Sequence, residues 1–187
     1  MVSGDALTIG SEQTLTTEYS GSGTAIVGAS LGFDKALLMF NVTETDHQLR
    51  AKAITVTTAS LTFGPELTLN PSYVPSGMYL FAETVGTDSA LVTYSFSTTG
   101  AESCLLTASG LTLTSGPLAQ INNAGNMLLG GMTLLAPDKF FVTKGPNALF
   151  GTISGTSISY GDPTVFTESL APYTISMAGV SPTMAFL

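Results

Sequence analysis

The one histidine of the chain, His47, lies in Thr43-Glu44-Thr45-Asp46-His47-Gln48-Leu49-Arg50, the most charged stretch of the sequence. An imidazole beside two carboxylates is the raw material of acid–base chemistry or of a metal site. The spacing is loose and no second histidine completes a ligand set, so neither a catalytic group nor a metal is assigned here. Loops on a rigid scaffold carry recognition. Glu44, Asp46, His47 and Arg50 therefore read as a contact loop between strands. Asp34, Asp88 and Asp138 each precede an apolar run. A ring of such carboxylates could hold a hard cation, which takes several oxygens from separate segments. The simpler reading is that each Asp closes a tight turn through its own side chain. Pro182 stands where a fourth Asp would complete the ring, and Lys35 and Lys139 sit beside two of its members. Cys104, followed by Leu105-Leu106, reads as a packed small hydrophobe, because a nucleophilic thiol needs a base close by.

The rest of the inventory is thin. Lysine and arginine occupy only Lys35, Arg50, Lys52, Lys139 and Lys144, and there is no Trp. Hydrolytic, phosphoryl-transfer and redox sites draw on His, Lys, Arg or Cys near carboxylates, so the expectation is a protein that is not an enzyme and carries no cofactor. Five basic residues against thirteen acidic ones, net −8, exclude the basic footprint of a nucleic-acid binder. Gly-Gly at 130–131 and Gly-Ser-Gly at 21–23 lack the lysine and the helix of a phosphate loop. Mean hydropathy is high, +0.38. Even so, Thr, Ser and Gly interrupt every apolar run well before the length of a membrane span, and membrane insertion is not expected. The first residues lack the basic and apolar regions of a signal peptide. The single cysteine excludes an intrachain disulfide.

The elements that must position these residues are strands. Helical spacing is absent, and Ala36-Leu37-Leu38-Met39-Phe40, Ala90-Leu91-Val92-Thr93-Tyr94 and Phe140-Phe141-Val142 are short β-type runs bounded by Asp, Pro, Gly and Ser. The runs belong to a repeat. An eight-residue block ending in glycine occurs at residues 3–10 (Ser-Gly-Asp-Ala-Leu-Thr-Ile-Gly), 57–64, 109–116 and 154–161. After each block comes a second alternating run, which predicts a strand, a glycine kink and a continued outer strand. Upstream of three blocks lie an apolar strand, the Asp turn and a second apolar strand. A fourth copy, Ser181-Pro182-Thr183-Met184-Ala185-Phe186, keeps the turn without the Asp. The seven Met and ten Phe are scattered through these strands and read as core.

Four-stranded antiparallel units at this spacing are the signature of propeller blades. The expected fold is all-β, a single domain forming a small β-propeller of about four blades, with units near 24–70, 77–122, 126–169 and 172–187 plus 1–18. A β-sandwich or jelly roll is the alternative. The last blade is expected to be split between the termini, with residues 173–177 and 183–187 supplying its first two strands and residues 1–17 the rest. Pairing of the halves within one chain is favoured over pairing between chains.

The stretch 152–166, Thr-Ile-Ser-Gly-Thr-Ser-Ile-Ser-Tyr-Gly-Asp-Pro-Thr-Val-Phe, resembles a propeller-type repeat of phage tail and virion proteins and of some bacterial surface proteins. That repeat runs G-T-V-S-G-T-S-I-S-F-G-x-P-V-V-F. The resemblance implies a virion or cell-surface setting and carries over no catalytic or ligand-binding residue. The expected function is that of a structural virion component, a capsid decoration, tail or fibre-associated protein of a tailed phage. Its partners are then other virion proteins and copies of itself. A carbohydrate- or host-receptor-binding propeller is the alternative, although such a lectin would repeat an aromatic platform in each blade, and the aromatics here do not recur at one loop position. A glycosidase would need two carboxylates facing each other across a cleft, and the sequence pairs none of the thirteen.

Overall fold

Apolar runs of four to eight residues suit strands, and β-branched residues with Thr and Ser between them suit a pleated surface. The computed structural model describes residues 14–15, 25–42, 48–57, 60–70, 79–95, 100–121, 129–165, 178–181 and 184–186. The protein is all-β, with no helix among these residues. Its strands form three antiparallel sheets, none of them closed, and a two-stranded hairpin.

The three sheets repeat one plan. In the first, β1 (Ile26–Ser30), β2 (Lys35–Val42) and β3 (Gln48–Val56) meander, and both β4 (Leu61–Phe63) and β5 (Leu67–Asn70) pair with β3. The second has β6 (Leu80–Gly86), β7 (Ser89–Ser95) and β8 (Ala101–Ser109), with β9 (Thr112–Ser115) and β10 (Ala119–Gln120) on β8. The third has β11 (Leu129–Ala136), β12 (Lys139–Lys144) and β13 (Asn147–Ser154), with β14 (Ser157–Tyr160) and β15 (Thr164–Val165) on β13. The bent outer strand expected from the block glycine is therefore present in each sheet, as two short strands along one neighbour. The hairpin pairs β16 (Ala178–Ser181) with β17 (Met184–Phe186). Its strands flank the turn expected at Pro182, whereas residues 173–177 lie outside the described part, as do blocks 3–10 and most of 1–18.

Two backbone hydrogen bonds recur at matching positions and show that the units are structurally equivalent. Val56, Ala108 and Ile153 donate their N–H to the carbonyls of Asp34, Asp88 and Asp138. Gly64, Gly116 and Gly161, the block glycines, donate to the carbonyls of Ala53, Leu105 and Phe150. The hairpins that open two of the blocks turn on Gly110 and Gly155, whose φ of 62° and 60° is left-handed, a region that glycine enters without penalty.

Face-to-face packing holds the sheets together. Side chains alternate along β7 and β8: Ala90, Val92, Tyr94, Cys104, Leu106 and Ala108 face the first sheet, while Leu91, Ala101 and Leu105 face the third. Both faces of the second sheet are buried, which is why its strands read as continuous apolar runs. One core lies between the first and second sheets, around Leu37, Met39, Leu49, Ala51 and Ala53. Another lies between the second and third, around Met132, Phe140, Val142 and Leu149. Three sheets enclosing two successive cores differ from the sandwich alternative, which has two sheets and one core. Each large apolar side chain buried in these seams contributes about 1.5–3 kcal/mol. Not every phenylalanine is core: Phe33 is fully exposed and Phe150 is 55% exposed.

Close approach between sheets falls on the block glycines. A Cβ on Gly64 would collide with the Leu111 carbonyl of the second sheet's hairpin, and one on Gly116 with the Thr156 carbonyl of the third's. Backbone cannot yield as a flexible side chain can. Gly116→Val is expected to lower stability by about 1–3 kcal/mol, read from the urea midpoint, whereas Leu118→Ser on the exposed surface is expected to change it by less than about 0.5 kcal/mol.

Candidate functional site

Of the expected contact loop, Glu44, Asp46 and His47 lie outside the described residues. Arg50 is described, on β3 opposite Phe40. Alternation along β3 sends Ala51 and Ala53 into the first core and Arg50 and Lys52 to the opposite face of the sheet. There the two cations converge on Glu66, which stands two residues past the kink at Gly64, just before β5 runs back along β3. Arg50 Nη1 lies 2.6 Å from Glu66 Oε2 and Lys52 Nζ 2.9 Å from Oε1. Arg50 Nε donates to Gln48 Oε1 at 3.0 Å, and Lys52 Nζ donates to the Leu15 carbonyl at 2.6 Å while lying 5.8 Å from the Phe63 ring centroid. Burial pushes the Glu66 carboxyl up, but hydrogen bonds and charge from Lys52 and Arg50 outweigh it and leave the group below its ordinary 4.5. Two of five basic residues thus meet one acid on a protein of net charge −8. Arg50 was legible as a charged position; Glu66 and Lys52 were not, because the kink brings them together.

The three turn aspartates occupy corresponding hairpin turns, and Lys35 of the first sheet forms an ion pair with Asp88 of the second. The described residues contain no group of three or more His, Cys, Asp or Glu side chains placed to share a metal ion.

Between the second and third sheets lies a buried polar seam that sequence reasoning missed. Thr93 Oγ1 and Ser103 Oγ are 2.6 Å apart across β7 and β8, and Ser103 also meets the Tyr160 hydroxyl of β14. Thr93 Oγ1 donates to Met132 Sδ at 3.0 Å. On the opposite face of the second sheet, towards the first, Tyr94 donates to Glu102 Oε2 at 2.9 Å, with both side chains buried. Burial pushes the Tyr160 hydroxyl up, despite hydrogen bonds from Ser103 and Thr93 that pull it down, so it stays protonated. Burial likewise pushes the Cys104 thiol up to about 11, with a Ser115 hydrogen bond opposing and the Glu102 charge adding. Lys144, 1% exposed, donates from Nζ to the Ile121 carbonyl at 3.3 Å, and burial lowers its pKa. The Thr93–Met132, Ser103–Tyr160 and Lys144–Ile121 contacts join the second sheet to the third, and the other pairs tie strands within the second. Their chemistry is cohesive: hydroxyls paired to hydroxyls, a lysine on a carbonyl, a thiol held neutral.

Comparison with protein-family models, with curated proteins and with solved structures finds no match.

Glu66→Gln is expected to cost about 0.2–1 kcal/mol at pH 7, the range of partly exposed ion pairs. Because the folded pKa of Glu66 lies below its unfolded value, its contribution is full above about pH 4.5 and fades as the pH falls through the folded value. Urea curves of the two proteins should therefore converge as the pH falls below the folded pKa of Glu66. Cys104 in the native protein is expected to resist an aromatic disulfide reagent at pH 8, and to react in full once guanidinium unfolds the chain.

Proposed function

We propose that the protein is a non-enzymatic structural component of a virus particle, a capsid decoration, tail or fibre-associated protein of a tailed phage. In this reading its three sheets and the β16–β17 hairpin are successive blades of a small four-unit β-propeller. The observation that carries the non-enzymatic part is where the reactive groups lie. Lys35, Arg50, Lys52 and Lys144 are engaged in ion pairs or hydrogen bonds within the protein, and the Cys104 thiol is buried and held protonated. These five side chains, of types that catalysis would draw on, serve instead to join one strand or sheet to another or to fill the core. The propeller reading is supported by the succession of first strands: β1 packs on β6, β6 on β11 and β11 on β16. Sheets that meet along their first strands and carry Thr/Ser-rich outer strands suit an arrangement around a crowded centre. The virion setting rests on the resemblance of residues 152–166 to the phage and surface-protein repeat. Its partners are then other virion proteins and further copies of itself, and its place is the virion.

Particle mass and copy number provide the test. A fixed stoichiometry in intact particles, with copy number matching capsid, tail or fibre symmetry, is the expected result. Absence from purified particles would overturn it. Saturable binding of one sugar with one site per blade on a glycan array would replace it with the host-glycan-binding reading.

A further inference from the structure

Alternation along β6 divides its side chains between the two seams. Leu80 and Ala82 pack against the first core, and Thr84 donates to the Ser30 carbonyl of the first sheet. Tyr79, Phe81 and Val85 pack against the second core. Glu83 stands between Phe81 and Val85 and pairs across the ladder with Leu91, which is fully buried in that second core. Directly paired residues point to the same face of a sheet, so the Glu83 carboxyl is turned towards the third sheet. The register places Ala29 at the same position of the first sheet, opposite Leu37, and there a methyl group packs into the first core. The second sheet thus carries a carboxyl where its predecessor has hydrocarbon.

Among the described residues no hydrogen bond or ion pair reaches that carboxyl. The strands packed most closely against β6 are β1, β7 and β11. Neither β1 nor β11 contains a titratable residue, and β7 contains only Tyr94, which points to the opposite face and donates to Glu102. On the far wall of the seam Lys144 is bonded to the Ile121 carbonyl and the Tyr160 hydroxyl to Ser103. At the turns, Asp88 is paired with Lys35 of the first sheet, and Asp138 and Lys139 stand exposed. Burial is the influence left on Glu83, and it pushes the carboxyl above its ordinary 4.5. The residue is only half-buried, so protons reach it.

We infer that Glu83 makes the packing of the second sheet on the third respond to pH, the carboxylate weakening this seam and the neutral acid tightening it. A carboxylate beside Phe81 and Leu91 must keep part of its hydration, and β6 then cannot give up all its water to β11; the neutral acid can. Because the folded pKa lies above the unfolded one, the stabilisation by the proton is full below about pH 4.5 and is lost as the pH rises through the folded value. Glu66 on the first sheet titrates in the opposite sense, its ion pairs being lost as the pH falls. Acid therefore loosens the outward face of the first sheet while it tightens the second seam.

Carbon NMR of the full chain, labelled at glutamate carboxyls and methionine methyls, tests this. The Glu83 carboxyl, assigned by its loss in Glu83→Gln, is expected to titrate with a midpoint above 4.5. The methyl of Met132, whose sulfur meets Thr93 in the second seam, is expected to move with the same midpoint, and that of Met39 in the first core to stay still. Glu83→Gln, of the same size and unable to ionise, is expected to abolish the Met132 transition. It is also expected to raise the urea midpoint above that of the unsubstituted protein at pH 8, by a margin that narrows as the pH falls below about 4.5. Glu66→Gln is expected to leave the Met132 transition in place. A Glu83 midpoint at or below 4.5 would overturn the inference, as would a Met132 methyl that does not follow it. So would a margin in urea that is the same at pH 8 and pH 4.

Discussion

A sheet whose strands are apolar on both faces cannot stand in water on either side, and the rest of this structure depends on that constraint. The second sheet is the clear case: Leu91 and Leu105 on one face, Val92, Tyr94 and Leu106 on the other, all buried. Its strands exist only because a sheet lies on each side. The repeat supplies those neighbours with one geometry. The kink at the block glycine bends the outer strand along the third strand, and the absent side chain lets the next hairpin press its carbonyl against the backbone.

The two seams are built alike in backbone and differ in side chains. Thr93 and Ser103, bonded across the second sheet and on to Tyr160 and Met132, correspond to Met39 and Ala51 in the first. The first seam holds the Tyr94–Glu102 pair amid hydrocarbon, and the second holds a chain of bonded hydroxyls. A buried hydroxyl without its partner costs about 1–3 kcal/mol, so pairing the wrong sheets would leave the Tyr160 hydroxyl without Ser103. Repeats with similar strands could otherwise exchange neighbours. Lys35–Asp88 ties the first two sheets at their turns.

The ends of the stack are unlike each other. The outward face of the first sheet carries Arg50, Lys52 and Glu66, a charged cluster that tolerates water. The outward face of the third carries Phe141 and Phe150, which do not.

Strand content, the common plan of the three sheets and the positions of their turns were legible from sequence, because each depends on local chemistry. Period-2 alternation marks strands, Asp34, Asp88 and Asp138 mark hairpins, and a glycine after Leu/Ile-Thr/Ser marks the bend; Gly64, Gly116 and Gly161 all make the bond that such a bend needs. Arg50 was legible only as a charge in a charged stretch. Its meeting with Glu66 and Lys52 was not, since Glu66, 16 residues beyond Arg50, reaches them through the kink at Gly64. Nor was the Thr93–Ser103–Tyr160 chain, whose last contact spans 57 residues and crosses from one sheet to the next. Phe150 makes the point most sharply. By sequence it is one more apolar residue in an alternating strand, equal to Leu105. Only the order of the sheets decides that Leu105 lies beneath a neighbour and Phe150 lies at an end, because burial depends on what packs above a residue and local pattern records only which way it faces.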